Sequence, residues 1–449
     1  MSIFKAYDIR GIYPDELDET IAQKIGRAII LFFRQKKWPI EKIVIGQDAR
    51  LSSPKLFQGV VRGLLIEEPK IKIINLDQCS TPFLYWAIQN NRADGGLMIT
   101  ASHNPSQFNG FKICRQGAAS LGGTEIQEIG EIVERLNESK ENLSLIFFPS
   151  EVNIKDYFSF LLKKIDISKI KPFRVAIDCG NGMLGPEIEE IISQLPIQSK
   201  VLYAQPDGRF PHHLANPLDE NTLVELKELI AQEGFDFGAA FDGDGDRIGI
   251  IDENGEVVRG DFILALLSEY YLKKFPGEKI VYEVRSSRII PETIKINKGI
   301  SILSRAGHSF IKKKMRKEEA VLGGELSGHY FYRELGFVDN ALFTFLHLLE
   351  IFSQQNKPVS QIIRPFQKYF QSGEINFRVE NKEKILRRIE KKYSDGEIIK
   401  VDGLTVIYSR WWFNLRPSNT ENLLRLNLEA DTLDLMKEKT KEIEGLISK

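Results

Sequence analysis

Asp242, Asp244 and Asp246 are spaced by two and interleaved with Gly243 and Gly245. In an extended segment that spacing sends all three carboxylates to one side, and the glycines let the backbone curve around a small object. Two carboxylates about 4 Å apart repel by on the order of 4 kcal/mol at an effective dielectric of about 20, so three together demand a cation. All-oxygen ligands with no His or Cys among them favour Mg²⁺ or a similarly hard ion over zinc. A calcium-binding, non-enzymatic module is the rival, since Glu253 falls at the twelfth position of an EF-hand loop. Arg247 stands at its sixth position, however, where the sharp turn needs Gly.

Other loops carry different chemistry. Thr100-Ala101-Ser102-His103-Asn104-Pro105 places Ser102 at the exposed end of a strand, with Pro105 opposing helix continuation. No Gly-x-Ser-x-Gly elbow surrounds this serine, which removes an α/β-hydrolase triad. A phosphorylated serine beside a carboxylate-held divalent ion would instead be a phosphate store, its near-dianionic charge completing the metal's ligand set. Arg416-Pro417-Ser418-Asn419-Thr420 gathers a guanidinium, short polar side chains and backbone N–H groups in one turn, a set suited to phosphate. Residues 180–185 follow a strand and match G-x-G-x-x-G, so a dinucleotide-dependent oxidoreductase is a second rival. The acid expected near the end of the next strand is missing around residues 200–204.

These loops need elements to hold them. Apolar residues Ile21, Ile25, Ile29 and Phe32 recur at helical spacing and predict an amphipathic helix over 18–37. Beyond it, 42–45, 71–76 and 96–99 read as strands, and 52–66 and 82–88 as intervening helices. Such alternation implies parallel βαβ units with loops at the strand carboxyl ends. A repeat follows from those ends. Gly46-Gln47-Asp48-Ala49-Arg50, Asp178-Cys179-Gly180-Asn181-Gly182 and Glu283-Val284-Arg285-Ser286-Ser287 each lead to a Pro at a helix mouth. Each is answered downstream by a dense polar loop: the Ser102 loop, the three-Asp loop, and Gly324-Glu325-Leu326-Ser327-Gly328-His329. After residue 365 the pattern changes to a strand over 375–379, a charged helix from Lys382, a hairpin turning at Asp402-Gly403, strands over 411–415 and 423–428, and a final helix. The predicted fold is α/β: three related mixed α/β domains, 1–148, 149–253 and 254–364, then a smaller α+β domain, 365–449, around one central cleft.

Composition narrows the partners. In 449 residues, 61 Lys and Arg balance 62 Asp and Glu, a net charge of −1, which argues against nucleic acid or an acidic membrane as partner. The longest apolar run, 341–352, is too short for a bilayer and is broken by His347 and Glu350, so a buried helix is expected there. No apolar segment follows Met1, and Cys79, Cys114 and Cys179 are scattered; a cytoplasmic location is expected.

Taken in order along the whole chain, the loops resemble the alpha-D-phosphohexomutase superfamily, and more narrowly its bacterial phosphomannomutase/phosphoglucomutase branch. The motifs that carry this are Ala6-Tyr7-Asp8-Ile9-Arg10-Gly11, the Ser102 loop with Asn109-Gly110-Phe111-Lys112, the three-Asp loop, 324–329 and 416–420. The resemblance implies that Ser102 is a phosphoserine and, with Asp242, Asp244 and Asp246, a ligand of Mg²⁺. It implies that Arg247 and Lys112 neutralise the transferring group and that Arg10, Lys112, His329 and Tyr7 surround the proton transfer. Glu325 and Ser327 match residues that bind sugar hydroxyls, Arg285 and His308 match further site positions, and Arg416, Ser418, Asn419 and Thr420 match the grip on the remote phosphate. The implied partner is a small phosphosugar, with hexose 1,6-bisphosphate as intermediate and activator, on a monomer or dimer. Leu326, Arg285 and Asn422 depart from the branch's frequent Met, Lys and Pro. Phosphoglucosamine mutase is the alternative within the superfamily; the start Tyr7-Asp8-Ile9-Arg10 and the loop Ser418-Asn419-Thr420 favour mannose and glucose.

Overall fold

The first helix forms as Glu19–Gln35, and its start is dictated locally. The Asp18 side chain accepts a hydrogen bond from the Ile21 N–H, Glu19 lies in the first turn and Arg34 in the last, as the helix dipole favours. Its apolar face, including Ile25, Ile29, Phe32 and Phe33, is buried. The neighbouring helix Ser53–Glu67 approaches so closely that a Cβ on Gly63 would lie 2.0 Å from the Gln23 carbonyl oxygen. Glycine is what permits this contact.

In this computed structural model, which describes residues 3–139, 152–418 and 422–448, the chain has an α/β fold of three α/β sheets followed by an antiparallel C-terminal sheet. The first sheet runs in the order Ile9–Ile12, Phe108–Arg115, Gly95–Ile99, Lys42–Gln47, Lys72–Gln78. Its last three strands are parallel, as alternation with helices requires. Phe108–Arg115 pairs antiparallel with Gly95–Ile99, so the parallel expectation holds for only part of the sheet. The reason is connection length: the polar loop after Ile99 is too short for a crossover, and the chain must return beside itself.

The second sheet repeats this logic. Arg174–Asp178, Gln198–Leu202 and Phe237–Phe241 are parallel, whereas Ile248–Asp252 returns antiparallel with Ile248 opposite Phe241. Both chemistry-bearing loops therefore turn the chain back between adjacent antiparallel strands. In the third sheet, Lys279–Glu283 pairs parallel with both Ile300–Ser304 and Leu322–Gly324.

Two compact units result, one of residues 1–259 with 327–362 and the other of 260–326 with 363–449. The anticipated boundary at 148/149 lies outside the described residues. In the first unit the helix Ala341–Gln355 is almost wholly buried and is N-capped by the Asn340 side chain, which accepts from the Phe343 N–H at 2.8 Å. No helix among the described residues is long and apolar enough to cross a membrane. In the second unit the antiparallel sheet runs Phe370–Arg378, Leu423–Ala430, Trp411–Pro417, Leu404–Ile407, Glu397–Ile399. Phe413, Leu415, Leu426, Ile443 and Ile447 are among the residues of its core. Cys79, Cys114 and Cys179 are buried, and none forms a disulfide among the described residues.

Candidate active site

Ser102 is buried, not exposed as the strand-end reading predicted. Its loop folds against the three-Asp loop: a Cβ on Gly243 would stand 2.5 Å from the Ser102 carbonyl oxygen, so only glycine allows the two backbones to meet. Ser102 itself takes a left-handed conformation, φ +51°, which costs a non-glycine residue energy and which the surroundings must enforce. Its N–H donates to Thr100 Oγ1 at 2.8 Å. Its Oγ donates to Asp242 Oδ2 at 2.7 Å and lies 3.1 Å from His103 Nδ1.

The three aspartates do converge, but by a turn and not by strand alternation. Asp242 Oδ1 accepts from the N–H groups of Gly245, Asp246 and Arg247 at 3.0, 3.1 and 3.1 Å, which coils the loop around that carboxylate. One carboxylate oxygen from each aspartate then lies within 4.8 Å of the other two. Lys112 Nζ reaches Asp244 Oδ2 at 2.6 Å and also pairs with Asp246, while Thr81 Oγ1 donates to Asp244 Oδ2 at 2.6 Å. Asp244 Oδ1 and Asp246 Oδ1 are buried and have no hydrogen bond among the described residues. Orphaned carboxylate oxygens in an all-oxygen set are the donors a hard divalent ion takes, so these residues fit Mg²⁺.

Burial and the crowding of like charge shift the ionisable groups here. Asp242 is pushed up to about 8, first by burial and then by Asp246 and Asp244, against the pull of Arg247 and Lys112. Burial opposes the Lys112 ammonium, yet Asp244, Asp246 and Asp242 hold its pKa well above the usual lysine range. His103 is held far below the imidazole range by Arg247, by burial and by Arg10, so it is neutral.

Around this centre Arg247 Nε donates to His329 Nε2 at 2.9 Å. That bond assigns the lone pair to Nε2 and the proton to Nδ1, which faces Asp339 Oδ2 at 3.0 Å. Burial pulls the His329 pKa down, but Asp246 and Asp339 leave it raised in spite of Arg247. Arg10 bridges Asn104 Oδ1 at 2.6 Å and Asp8 Oδ2 at 2.5 Å, tying the first strand to the Ser102 loop. The first unit thus gathers Arg10, Ser102, Lys112, Asp242, Asp244, Asp246, Arg247 and His329. Tyr7, half-buried, lies in a bend before the strand Ile9–Ile12, and Ser327 opens the segment in which the chain re-enters this unit.

Sequence reasoning passed over Arg50, which the structure places under the Ser102 loop with all of its guanidinium donors engaged. Nε donates to Asp48 Oδ2 at 3.0 Å, Nη1 to the carbonyls of Pro105 and Phe108 at 2.7 and 2.9 Å, and Nη2 to those of Ser102 and Asn104 at 2.8 and 2.6 Å. The signal was present: Asp48 and Arg50 belong to the first strand-end loop of the repeat. His103, Thr81 and Asp339 were missed as well.

Both rival motifs dissolve. A Cβ on Gly182 would lie 2.9 Å from the Asp242 carbonyl oxygen, and one on Gly185 1.7 Å from that of Ala204. These glycines serve close packing of the chain on itself. Glu253 turns away from the aspartates to bond the N–H of Ser360 at 3.1 Å and the Ser360 hydroxyl.

In the second unit, Arg285 forks onto Glu283, with Nε and Nη2 at 2.9 and 2.7 Å from its two oxygens. Glu283 Oε1 also accepts from the Leu326 N–H at 3.3 Å. Buried Glu325 accepts from the Gly307 N–H at 2.6 Å, immediately before His308 opens the helix His308–Glu318. Arg416 and Ser418 are buried, Arg416 at the end of a strand that extends further than predicted. Asn419 and Thr420 lie outside the described residues.

A buried carboxylate behind the site yields a test of pH dependence. Glu187 Oε1 accepts from the Ser80 N–H at 3.2 Å, and Oε2 has no hydrogen-bond partner among the described residues. Ser80 caps the helix Thr81–Asn90, whose Thr81 N–H donates to the Asp244 carbonyl at 2.9 Å. Burial pushes Glu187 up from 4.5 to about 7, the Ser80 contact offsetting only part of that. The folded chain therefore holds a proton that the unfolded chain releases, and stability falls as pH rises across that window by on the order of 3 kcal/mol. Glu187→Gln should match the parent near pH 4 and exceed it by up to about 3 kcal/mol near pH 8. Urea denaturation at the two pH values checks this; equal stability of the two proteins at pH 8 would refute it.

The family comparisons agree along the chain. Four family profiles match: phosphoglucomutase/phosphomannomutase alpha/beta/alpha domain I at residues 1–140, domain II at 155–255, domain III at 259–369, and the C-terminal domain at 374–445. A phosphomannomutase of Methanocaldococcus jannaschii is 39% identical over 455 residues, covering 100% of this chain and 98% of the relative. Phosphohexose mutases of Xanthomonas campestris are 35% identical, covering 99% of this chain and 98% of the relative. The crystal structure of a phosphoglucomutase/phosphomannomutase family protein from Burkholderia thailandensis superposes with a TM-score of 0.89 at 28% identity, covering 99% of this chain and 96% of that one.

Proposed function

Because the chain belongs to the phosphoglucomutase/phosphomannomutase family of phosphohexose mutases, which are isomerases, we propose that it interconverts the 1- and 6-phosphates of mannose or glucose through phosphorylated Ser102. The observation that carries this reading is the buried Ser102 Oγ, 2.7 Å from Asp242 and backed by Lys112 and Arg247. Such a serine has carboxylates to hold a cation at its phosphate and fixed cations to balance the transferring group.

In the proposed reaction a hydroxyl of the bound hexose monophosphate attacks the phosphorus of phospho-Ser102. The bond from phosphorus to Oγ breaks, and Oγ takes a proton from solvent to become the serine hydroxyl. The hydroxyl proton of the sugar passes to His329 Nε2 as Arg247 Nε turns from that nitrogen to the transferring group, with Asp339 facing the opposite ring nitrogen. The product is a hexose 1,6-bisphosphate. It turns end for end, its other phosphate returns to Ser102 with loss of the Oγ proton to solvent, and His329 gives its proton to the departing monophosphate. Asp242, Asp244, Asp246 and phospho-Ser102 would hold Mg²⁺, which would supply charge neutralisation when bound. Arg247 and Lys112 are the protein's own cations for the same purpose. Arg10 orients the Ser102 loop through Asn104, and Tyr7 precedes the same strand. Arg285, His308, Glu325 and Ser327 would meet sugar hydroxyls, and Arg416, Ser418, Asn419 and Thr420 the phosphate that is not reacting.

Coupled turnover of mannose 1-phosphate, glucose 1-phosphate and glucosamine 1-phosphate, measured side by side, tests the assignment. Fastest turnover of the glucosamine compound moves the protein to the phosphoglucosamine alternative, and turnover of none overturns the reading. Arg416→Ala should raise the KM for the preferred substrate by about tenfold or more, the cost of one charge-assisted phosphate contact. An unchanged KM in steady-state kinetics would remove Arg416 from the phosphate grip.

A further inference from the structure

Arg416 and Arg425 stand directly opposite each other on neighbouring antiparallel strands, where like charges repel. What reconciles them is Glu374. Its Oε2 accepts from Arg416 Nη2 at 2.8 Å, and its Oε1 from Arg425 Nη1 at 3.3 Å. Arg285 Nη1 approaches Oε2 at 3.8 Å. One carboxylate therefore joins a candidate phosphate ligand, a candidate sugar-site residue and a third guanidinium.

The local backbone is built to deliver it. Pairing of the strand Phe370–Arg378 with Leu423–Ala430 slips between Gln371 and Glu374, and Gly373 takes φ +71°, a conformation that glycine adopts freely. This irregularity immediately precedes Glu374. Burial alone would raise the Glu374 pKa, yet Arg416, Arg285 and Arg425 hold it below the carboxylate range, so it stays ionised. Arg416 is buried, and its Nε has no partner among the described residues. With Nη2 anchored, the guanidinium plane is fixed and a donor is left unspent.

We propose that Glu374 is a positioning residue for phosphosugar binding: it fixes the Arg416 guanidinium for a sugar phosphate and lowers the attraction of the site for free inorganic anions. The proposal rests on Arg416 gripping the non-reacting phosphate. Two consequences have opposite signs. Loss of the carboxylate frees the guanidinium to turn, which weakens a ligand held in one geometry. The same loss takes a negative charge from among three guanidiniums, of which Arg285 keeps Glu283, and the more positive site strengthens binding of a small anion with no orientation to satisfy.

Glu374→Gln keeps the shape and removes the charge. Its KM for hexose phosphate should rise about tenfold with kcat within about twofold, the signature of lost uniform binding. Its inhibition constant for inorganic phosphate should fall severalfold. Lower stability with both constants unchanged, or weaker binding of both ligands, marks a structural role and overturns the proposal. Tighter binding of both marks a mere counter-charge and overturns it too. Glu374→Asp, which retains the charge, should keep the parental phosphate inhibition and provides the test should the Gln variant fold poorly. Arg416→Ala, assayed in parallel, separates the two layers. If it leaves KM unchanged, the phosphate grip and this proposal fall together; if it raises KM while Glu374→Gln does not, only the role of Glu374 falls.

Discussion

Ser102→Ala is expected to lose mutase turnover by on the order of 10,000-fold or more while the protein folds normally. The proposed reaction passes the phosphoryl group through Oγ in both half-reactions, so removing that atom removes both. The substitution removes the hydrogen bond from Oγ to Asp242 and the contact of Oγ with His103 Nδ1. Asp242 still accepts from the backbone N–H groups of Gly245, Asp246 and Arg247, so the turn that gathers the aspartates has its own support. The variant should therefore denature within about 1 kcal/mol of the parent. Its KM, read from the residual rate, should change far less than kcat, because the contacts assigned to the sugar and the remote phosphate are untouched. Intact-peptide mass spectrometry should find phosphate on Ser102 in the active parent protein. Full turnover by the alanine variant, with no phosphate on the parental serine, would sink the phosphoserine mechanism.

How far the site could be read in advance depended on what each residue needed. Asp242, Asp244, Asp246 and Gly243 announced themselves because three like charges and a missing Cβ are costly unless something compensates, and that cost is local in sequence. Their geometry was not legible. Spacing suggested an extended row, whereas the carboxylates converge through a turn closed by Asp242 itself, a hydrogen-bond pattern with no trace in the order of residues. The exposure of Ser102 was misread for a related reason: its cover comes from Gly243, on a loop that the chain reaches only 140 positions later. Strands and helices were recovered from periodicity, but strand direction after Ile99 was not, because alternation carries no information about a short return. The cation that the aspartates demand has a partial stand-in. Lys112, assigned from resemblance to the transferring group, is paired with Asp244 and Asp246.

Arg50→Met is expected to destabilise the protein by about 3–5 kcal/mol, the usual consequence of removing one member of a buried ion pair. Asp48 is buried and would be left with no guanidinium beside it, supported among the described residues by the N–H of residue 50 and the Ser53 hydroxyl at 3.0 and 2.9 Å. Four carbonyls of residues 102–108 would lose their donor together. One of them belongs to Ser102, whose left-handed backbone must be held against its own preference. Arg50→Lys separates stability from positioning. It retains a cation for Asp48, but a single ammonium with three donors cannot satisfy a carboxylate and four carbonyls at once. That variant should stay folded and yet turn over about tenfold to a hundredfold more slowly, with the loss in kcat, because a loosened loop misplaces the nucleophile by a fraction of an ångström. Urea denaturation of the Met variant and steady-state kinetics of the Lys variant provide the two measurements. If the Met variant unfolds within about 1 kcal/mol of the parent, or the Lys variant keeps full kcat, the Ser102 loop holds its own shape and Arg50 is dispensable to it. If both losses appear, the first loop of the repeat serves as a brace, in which Asp48 and Arg50 hold the serine that carries the phosphate. Related strand ends in one chain have then become, in one case, the reactive group and, in another, its support.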